Sequence, residues 1–174
     1  GFADLAPKTK PLSQVLTYKT ARRVTDTRSA ENMDLLLGFL DKIKTDDVLT
    51  AHALDGMLKA QEAGALKPAK TDPAPLFAHW RASKDENVRN LAGRLATLWG
   101  DPNAVAALMG VVLDEKADVQ KRIESIRTVR RLKSDAARAG ILKLLEQKSP
   151  DNLTVEVLRA AGELGGMDLA NATL

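Results

Sequence analysis

The chain of 174 residues contains no cysteine. This excludes disulfides, thiolate nucleophiles, and zinc or iron–sulfur sites built on cysteine ligands. It also excludes a covalent haem attachment of the Cys-x-x-Cys-His type within this sequence. The absence does not fix a compartment, because a core of adequate size needs no disulfides in either redox environment.

Aromatic residues are scarce, at 3% of the chain, and the hydrophobic 44% consists mainly of leucine, alanine and valine. Leucine and alanine are strong helix formers, so this composition favours closely packed helices. No apolar run approaches the roughly 20 residues of a membrane span. The segment DLLLGFL, Asp34–Leu40, is far too short. We therefore expect a helical protein that does not insert into a membrane.

Candidate catalytic and metal-binding groups are few. His52 precedes Asp55 by three residues, which could supply half of a metal site, but such sites need three or four ligands. The other histidine, His79, lies beyond a proline-rich stretch. The sequence shows no Gly-x-Ser-x-Gly motif. We expect no catalytic residue, metal or cofactor in this segment.

Hydrophobic residues at helical spacing divide the chain into four parts. Residues 1–28 read as an extended arm with a candidate first helix over Ser13–Val24, and residues 29–64 as a divergent helical hairpin capped by Ser29 and by Asp46 or Asp47. Residues 65–75 form a proline-rich linker, and residues 76–174 carry regular helical repeats. Together they predict one solenoid domain.

The repeat is visible in the numbering. Val88 and Val119 are 31 residues apart, and Leu113 and Leu145 are 32 apart. Periods of this size indicate stacked supersecondary units. With two helices in each unit, the sequence predicts an all-α, right-handed α-solenoid of antiparallel helical hairpins.

Gly100, Asp101 and Pro102 follow an apolar helix and could form a phosphate loop, a catalytic loop or a turn. Glycine suits the left-handed residue after a helix, aspartate suits an N-cap, and proline suits the first helical position. A phosphate-binding loop would need more glycines followed by lysine. The interpretation that we favour is a turn that ends one helix and starts the next.

The stretch NVRNLAGRLATLWGDPNAVAALMGVV, residues 87–112, resembles a HEAT repeat of the armadillo-like class. VEVLRAAGELGG, residues 155–166, resembles its first helix and turn, whereas the middle unit turns at RLKSD with Ser134 as the expected cap. The resemblance covers residues 83–174, with a divergent hairpin at 29–64. It implies a scaffold that binds proteins through stacked hairpins.

A narrower likeness extends over LLLGFLDKIKTDDVLTAHALDGMLKA, residues 35–60, with the proline-rich gap and the repeats that follow. This order is similar to the HEAT segment of planctomycete and verrucomicrobial membrane-bound dehydrogenases that also carry a cytochrome c module. The likeness implies a non-catalytic connector in a larger exported redox protein, with flanking domains or another subunit as partners. A periplasmic or exported location is thereby favoured, and a cytoplasmic one is the alternative.

The basic stretch QKRIESIRTVRRLKSDAAR, residues 120–138, is the first candidate interaction surface. Basic side chains along one helix could follow nucleic-acid phosphates, as in HEAT-like DNA repair glycosylases. Acidic residues three or four positions away, and the lack of aromatic residues for base stacking, instead favour a solvated helix surface. The candidate residues are Lys121, Arg122, Arg127, Arg130 and Arg131.

The second candidate surface combines Phe77, His79 and Trp80 near the proline-rich stretch. A pocket or exposed patch is expected there, where the divergent hairpin meets the regular repeats. Trp99, at a helix end, is expected instead to pack beneath the turn that follows it.

Overall fold

The computed structural model describes residues 11–132, 134–147 and 149–173. These residues form α-helices and no strands, which confirms the predicted all-α class. The predicted extended arm lies mostly at 1–10, outside the described residues. The helices are α1 Leu12–Asp26, α2 Ala30–Ile43, α3 Asp47–Ala60, α4 Ala74–Arg81, α5 Glu86–Leu98, α6 Pro102–Leu113, α7 Val119–Leu132, α8 Asp135–Leu145, α9 Asp151–Leu164 and α10 Met167–Ala172.

Polar side chains start several of these helices by accepting hydrogen bonds from otherwise unpaired backbone N–H groups. Ser29 accepts from Asn32 N at 3.1 Å, and Asp46 accepts from Leu49 N at 3.0 Å. Ser134 likewise accepts from Ala137 N at 3.2 Å. The caps predicted from sequence at these three positions are confirmed.

The chain divides into two compact units, Gly1–Trp99 and Gly100–Leu174. This division falls inside the stretch 76–174 that the repeat pattern predicts to be regular. No single helix in the described part of the chain is both long and apolar enough to span a membrane.

The first unit is built on the packing of α1 against α3. The buried stripe of α1 is largely polar and consists of Ser13, Thr17, Ala21 and Thr25. The Thr17 hydroxyl donates to the Ser13 carbonyl at 2.7 Å, and the Thr25 hydroxyl donates to the Ala21 carbonyl at 2.9 Å. Both threonine hydroxyls are thus satisfied within α1, whereas the buried Ser13 hydroxyl has no hydrogen-bond partner among the described residues.

The proline-rich segment predicted as a linker is attached to α2. The Asp34 carboxylate accepts from Thr71 N at 2.7 Å and from Lys70 N at 3.1 Å. Ala69 N also donates to the Ala30 carbonyl at 3.2 Å. The two backbone donors lower the pKa of Asp34, with the bond from Thr71 the largest cause. The segment therefore follows a fixed path into α4.

In the second unit each helix also packs against the one two positions along the chain: α6 on α8, α7 on α9, and α8 on α10. Their apolar faces form one core, whose most deeply buried members are Val112, Ile126, Val129, Ala137, Ile141, Leu153 and Ala160. Layered contact of this kind is what successive helical hairpins produce when they stack.

Candidate functional site

The turn that opens the second unit is a helix boundary. Gly100 adopts a φ of 70°, the left-handed conformation that glycine favours after a helix. Asp101 accepts from Ala104 N at 3.0 Å, and Pro102 is the first residue of α6. This geometry matches the predicted turn, in which Gly100 ends one helix, Asp101 caps the next and Pro102 begins it. The three residues therefore have a structural role in the backbone.

The prediction of an exposed aromatic surface is wrong for Phe77 and Trp80. Phe77 and Trp80 are each 1% exposed, because both lie on the buried face of the short helix α4. The Phe77 ring contacts Trp80 and Trp99 edge-on, with centroids 5.9 and 5.7 Å apart. Burial of such rings is among the largest hydrophobic contributions to a core. His79 is exposed, and its Nε2 lies 3.1 Å from the Lys44 carbonyl oxygen.

Gln61 holds this aromatic cluster to the neighbouring backbone, a role that the sequence analysis missed. Its Oε1 accepts from the Trp99 indole at 2.9 Å and from Leu66 N at 2.7 Å, and its Nε2 donates to the Met57 carbonyl at 3.3 Å. Gln61 is buried, so these bonds satisfy a side chain that would otherwise be costly to remove from water. The cluster is a structural core.

The prediction of a basic interaction surface is also wrong for Arg122. This side chain is only 4% exposed, and its Nε donates to the Val112 carbonyl at 3.0 Å near the end of α6. An arginine at a helix C-terminus satisfies a carbonyl that the helix itself leaves open. Arg122 therefore ties α7 to α6 and is not available to an external partner.

Glu156 on α9 forms ion pairs with two more of the basic candidates, Arg127 and Arg130. Arg127 Nη2 donates to Glu156 Oε1 at 2.9 Å, and Arg130 Nη1 lies 3.7 Å from Glu156 Oε2. Arg159 also donates to Oε1 at 2.9 Å. Glu156 is only 4% exposed, and a buried carboxylate needs a compensating cation. Arginines from its own helix and from α7 supply that positive charge. Lys121 and Arg131 remain exposed.

The position of Glu156 could have been recognised from the sequence. It follows Leu153 by three residues and precedes Ala160 by four, so it shares a helix face with two core residues. A carboxylate on an apolar face requires a cation from a neighbouring element. The identity of that cation could not be read from spacing, because Arg127 is 29 residues away.

Acid should weaken the second unit through Glu156. Its pKa lies below the ordinary value of 4.5, chiefly because Arg127 donates a hydrogen bond to the charged form. The unfolded state therefore takes up protons first, and the stabilisation is present above pH 4.5 and lost as the pH falls through the lower folded value. We expect the free energy of unfolding, followed by circular dichroism, to decrease with acidification over that range.

Glu156→Gln is the variant that isolates this contribution from other carboxylates. We expect it to destabilise the protein by about 1–2 kcal/mol at neutral pH, less than a fully buried charged hydrogen bond because Arg127 is half-exposed. The wild-type and variant stabilities should converge in acid. Parallel curves with a constant difference would contradict the assignment.

Within each unit, the structure uses several of the sequence-predicted candidates in internal contacts. Among the described residues, no group of three or more histidine, aspartate and glutamate side chains is arranged to hold a metal ion. The candidate surface residues that are exposed are His79, Lys121, Arg127 and Arg131, and Arg127 among them is paired with Glu156.

An open apolar groove in the first unit lies between α1 and α2, and the sequence analysis missed it. It encloses about 590 Å³ and is lined by Leu16, Thr20, Val24, Asn32, Leu35, Leu36 and Phe39. Leu35 is 74% exposed and Leu16 is 40% exposed. Leu35 is two positions from the buried residues Met33 and Leu37, so helical spacing places it off the core face of α2. That α1 lies beside it to form a groove is visible only in the structure.

Comparison with protein families, curated proteins and solved structures finds no match to this chain. The resemblance to HEAT repeats therefore stays a prediction from the residue pattern.

Proposed function

We propose that this chain is a non-catalytic, HEAT-like helical scaffold that binds another protein segment through the groove between α1 and α2. The observation that carries the proposal is the exposure of Leu16 and Leu35 beside the apolar wall of that groove. Large apolar side chains gathered in a concave surface favour protein association, because covering them removes apolar area from water.

Nucleic-acid binding through α7 has less support. Arg122 is buried, and Arg127 and Arg130 lie against the Glu156 carboxylate. Phosphate affinity increases with the number of cations that can neutralise phosphates. The ion pairs reduce that number on this helix, so the scaffold proposal is preferred.

The connector role is the wider form of the same proposal. The resemblance of residues 35–60 and the following repeats to the dehydrogenase–cytochrome proteins would make flanking redox modules the natural partners of the helical surfaces. A reading frame that encodes an upstream propeller and a downstream Cys-x-x-Cys-His module would support this role. A short frame that encodes only this segment would overturn it.

Leu35→Glu tests the scaffold function. At 74% exposure this side chain contributes little to stability, so the variant should fold with its unfolding midpoint nearly unchanged. We expect immobilised wild-type protein to retain a defined partner from a native extract, and the variant to retain at least ten-fold less of that partner. The reason is that a carboxylate in an apolar contact must lose its hydration.

Val48→Glu is the matched control. Val48 is 41% exposed in the first turn of α3, where a negative charge is tolerated, and it does not line the groove. It should retain the same partner as the wild type. Equal retention by all three proteins would overturn the function of the groove.

A further inference from the structure

The rim of the groove carries a charge pattern that selects among protein ligands. Lys19 follows the lining residue Leu16 by three positions, and Arg23 follows Thr20 by three. On α2, Lys42 follows Phe39 by three, and Glu31 precedes Leu35 by four. Residues at these separations are neighbours on a helix surface.

All four charged residues are exposed, so they border the groove without being part of its apolar wall. Glu31 is also bonded to the Ser29 hydroxyl at 2.9 Å, which engages one of its oxygens locally. Three cations and one carboxylate make the rim basic. A basic rim around an apolar floor complements a ligand whose apolar side chains are flanked by acidic ones.

The dimensions favour a helix as that ligand. The lining residues of α1 run from Leu16 to Val24, which corresponds to about 12 Å of helical rise. That length accommodates two turns of a docked helix, with anchors at i, i+3 or i+4, and i+7. The groove lies between two helices, so the ligand would form a third helix against both.

We propose that the groove binds an acidic amphipathic helix of a partner protein, with leucine-like anchors on its floor and carboxylates facing Lys19, Arg23 and Lys42. This inference depends on the proposed scaffold function and adds the chemistry of the partner. Apolar burial supplies affinity, and the rim charges supply selection and orientation.

Two synthetic peptides test the selection. Both have leucines at i, i+3, i+4 and i+7 of a helical sequence, and the remaining exposed positions are glutamate in one and lysine in the other. We expect fluorescence anisotropy with the full chain to show the acidic peptide binding on the order of ten-fold more tightly than the basic peptide, with the difference shrinking at high salt. Equal binding, or a preference for the basic peptide, would overturn the proposal.

A charge-reversed groove provides the matched variant. Lys19→Glu combined with Arg23→Glu leaves the lining residues in place, so it should invert the preference between the two peptides. Leu35→Glu should weaken both peptides. Unchanged preference in the double variant would overturn the role of the rim, while the extract experiment with Leu35→Glu and Val48→Glu would still judge the scaffold function separately.

Other occupants give distinct results. Binding of the acidic peptide only after deletion of residues 1–10 would assign the groove to the chain's own N-terminal segment and overturn the proposal. Concentration-dependent dimerisation in sedimentation equilibrium, abolished by Leu35→Glu, would assign it to a second copy. Absence of binding by both peptides to the full chain and to the deletion variant would also overturn it.

Discussion

Phe77→Ala is expected to lower the free energy of unfolding of the first unit by about 3–5 kcal/mol. Phe77 is 1% exposed and contacts both Trp80 and Trp99, so alanine removes a buried ring and leaves a cavity between two large side chains that cannot fully collapse. The two tryptophans of the chain, Trp80 and Trp99, both lie in this unit. Tryptophan fluorescence during urea titration therefore measures the loss directly.

Trp80→Phe is the control for aromatic packing. It retains an aromatic ring in α4 but makes it smaller, and the indole N–H that it removes has no hydrogen-bond partner within the described part of the chain. We expect a cost of about 1–2 kcal/mol, smaller than that of Phe77→Ala, because fewer buried atoms are removed and no hydrogen bond is lost. If Phe77→Ala cost no more than this control, the cluster would not be a core.

Local features of this fold could be predicted from the sequence because neighbouring residues determine them. The caps at Ser29, Asp46 and Ser134, and the stop at Gly100, need only a side chain within three positions of a helix end. Helical periodicity, which depends on residues within one or two turns, likewise predicted the all-α class.

The burial of α1 could not be predicted in the same way. Its inward stripe contains Ser13, Thr17 and Thr25, so it carries little of the apolar signal that marks a core face. Threonines that bond to their own helix can be buried, but sequence alone does not show when a neighbouring helix approaches closely enough to cover them.

The candidate surfaces failed for a related reason. The fixed path of the proline-rich segment depends on Asp34, which is 37 residues from Thr71, and the burial of Glu156 depends on Arg127, which is 29 residues away. Partners at such separations are chosen by tertiary packing. The sequence analysis selected Phe77, Trp80 and Arg122 by residue type as surface candidates, but in the structure all three side chains are buried.

Gly56→Ala is expected to destabilise the first unit by about 1–3 kcal/mol even though alanine favours helices. A Cβ at this position of α3 would overlap the Tyr18 carbonyl oxygen and lie 3.1 Å from Arg22 N. Both atoms belong to the α1 backbone, so no side-chain rotation can relieve the overlap, and α1 must move away from α3. Urea unfolding followed by tryptophan fluorescence should show the lower stability.

Gly38→Ala makes the same chemical change where the structure leaves space. Gly38 is an exposed residue within α2, and its Cβ would meet nothing within 4 Å. There the helix propensity of alanine should act alone and stabilise the unit by about 0.5–1 kcal/mol. The two substitutions should therefore have opposite signs. Stabilisation by both would show that α1 and α3 are not in backbone contact at Gly56, because that contact is the reason for expecting a loss of stability there.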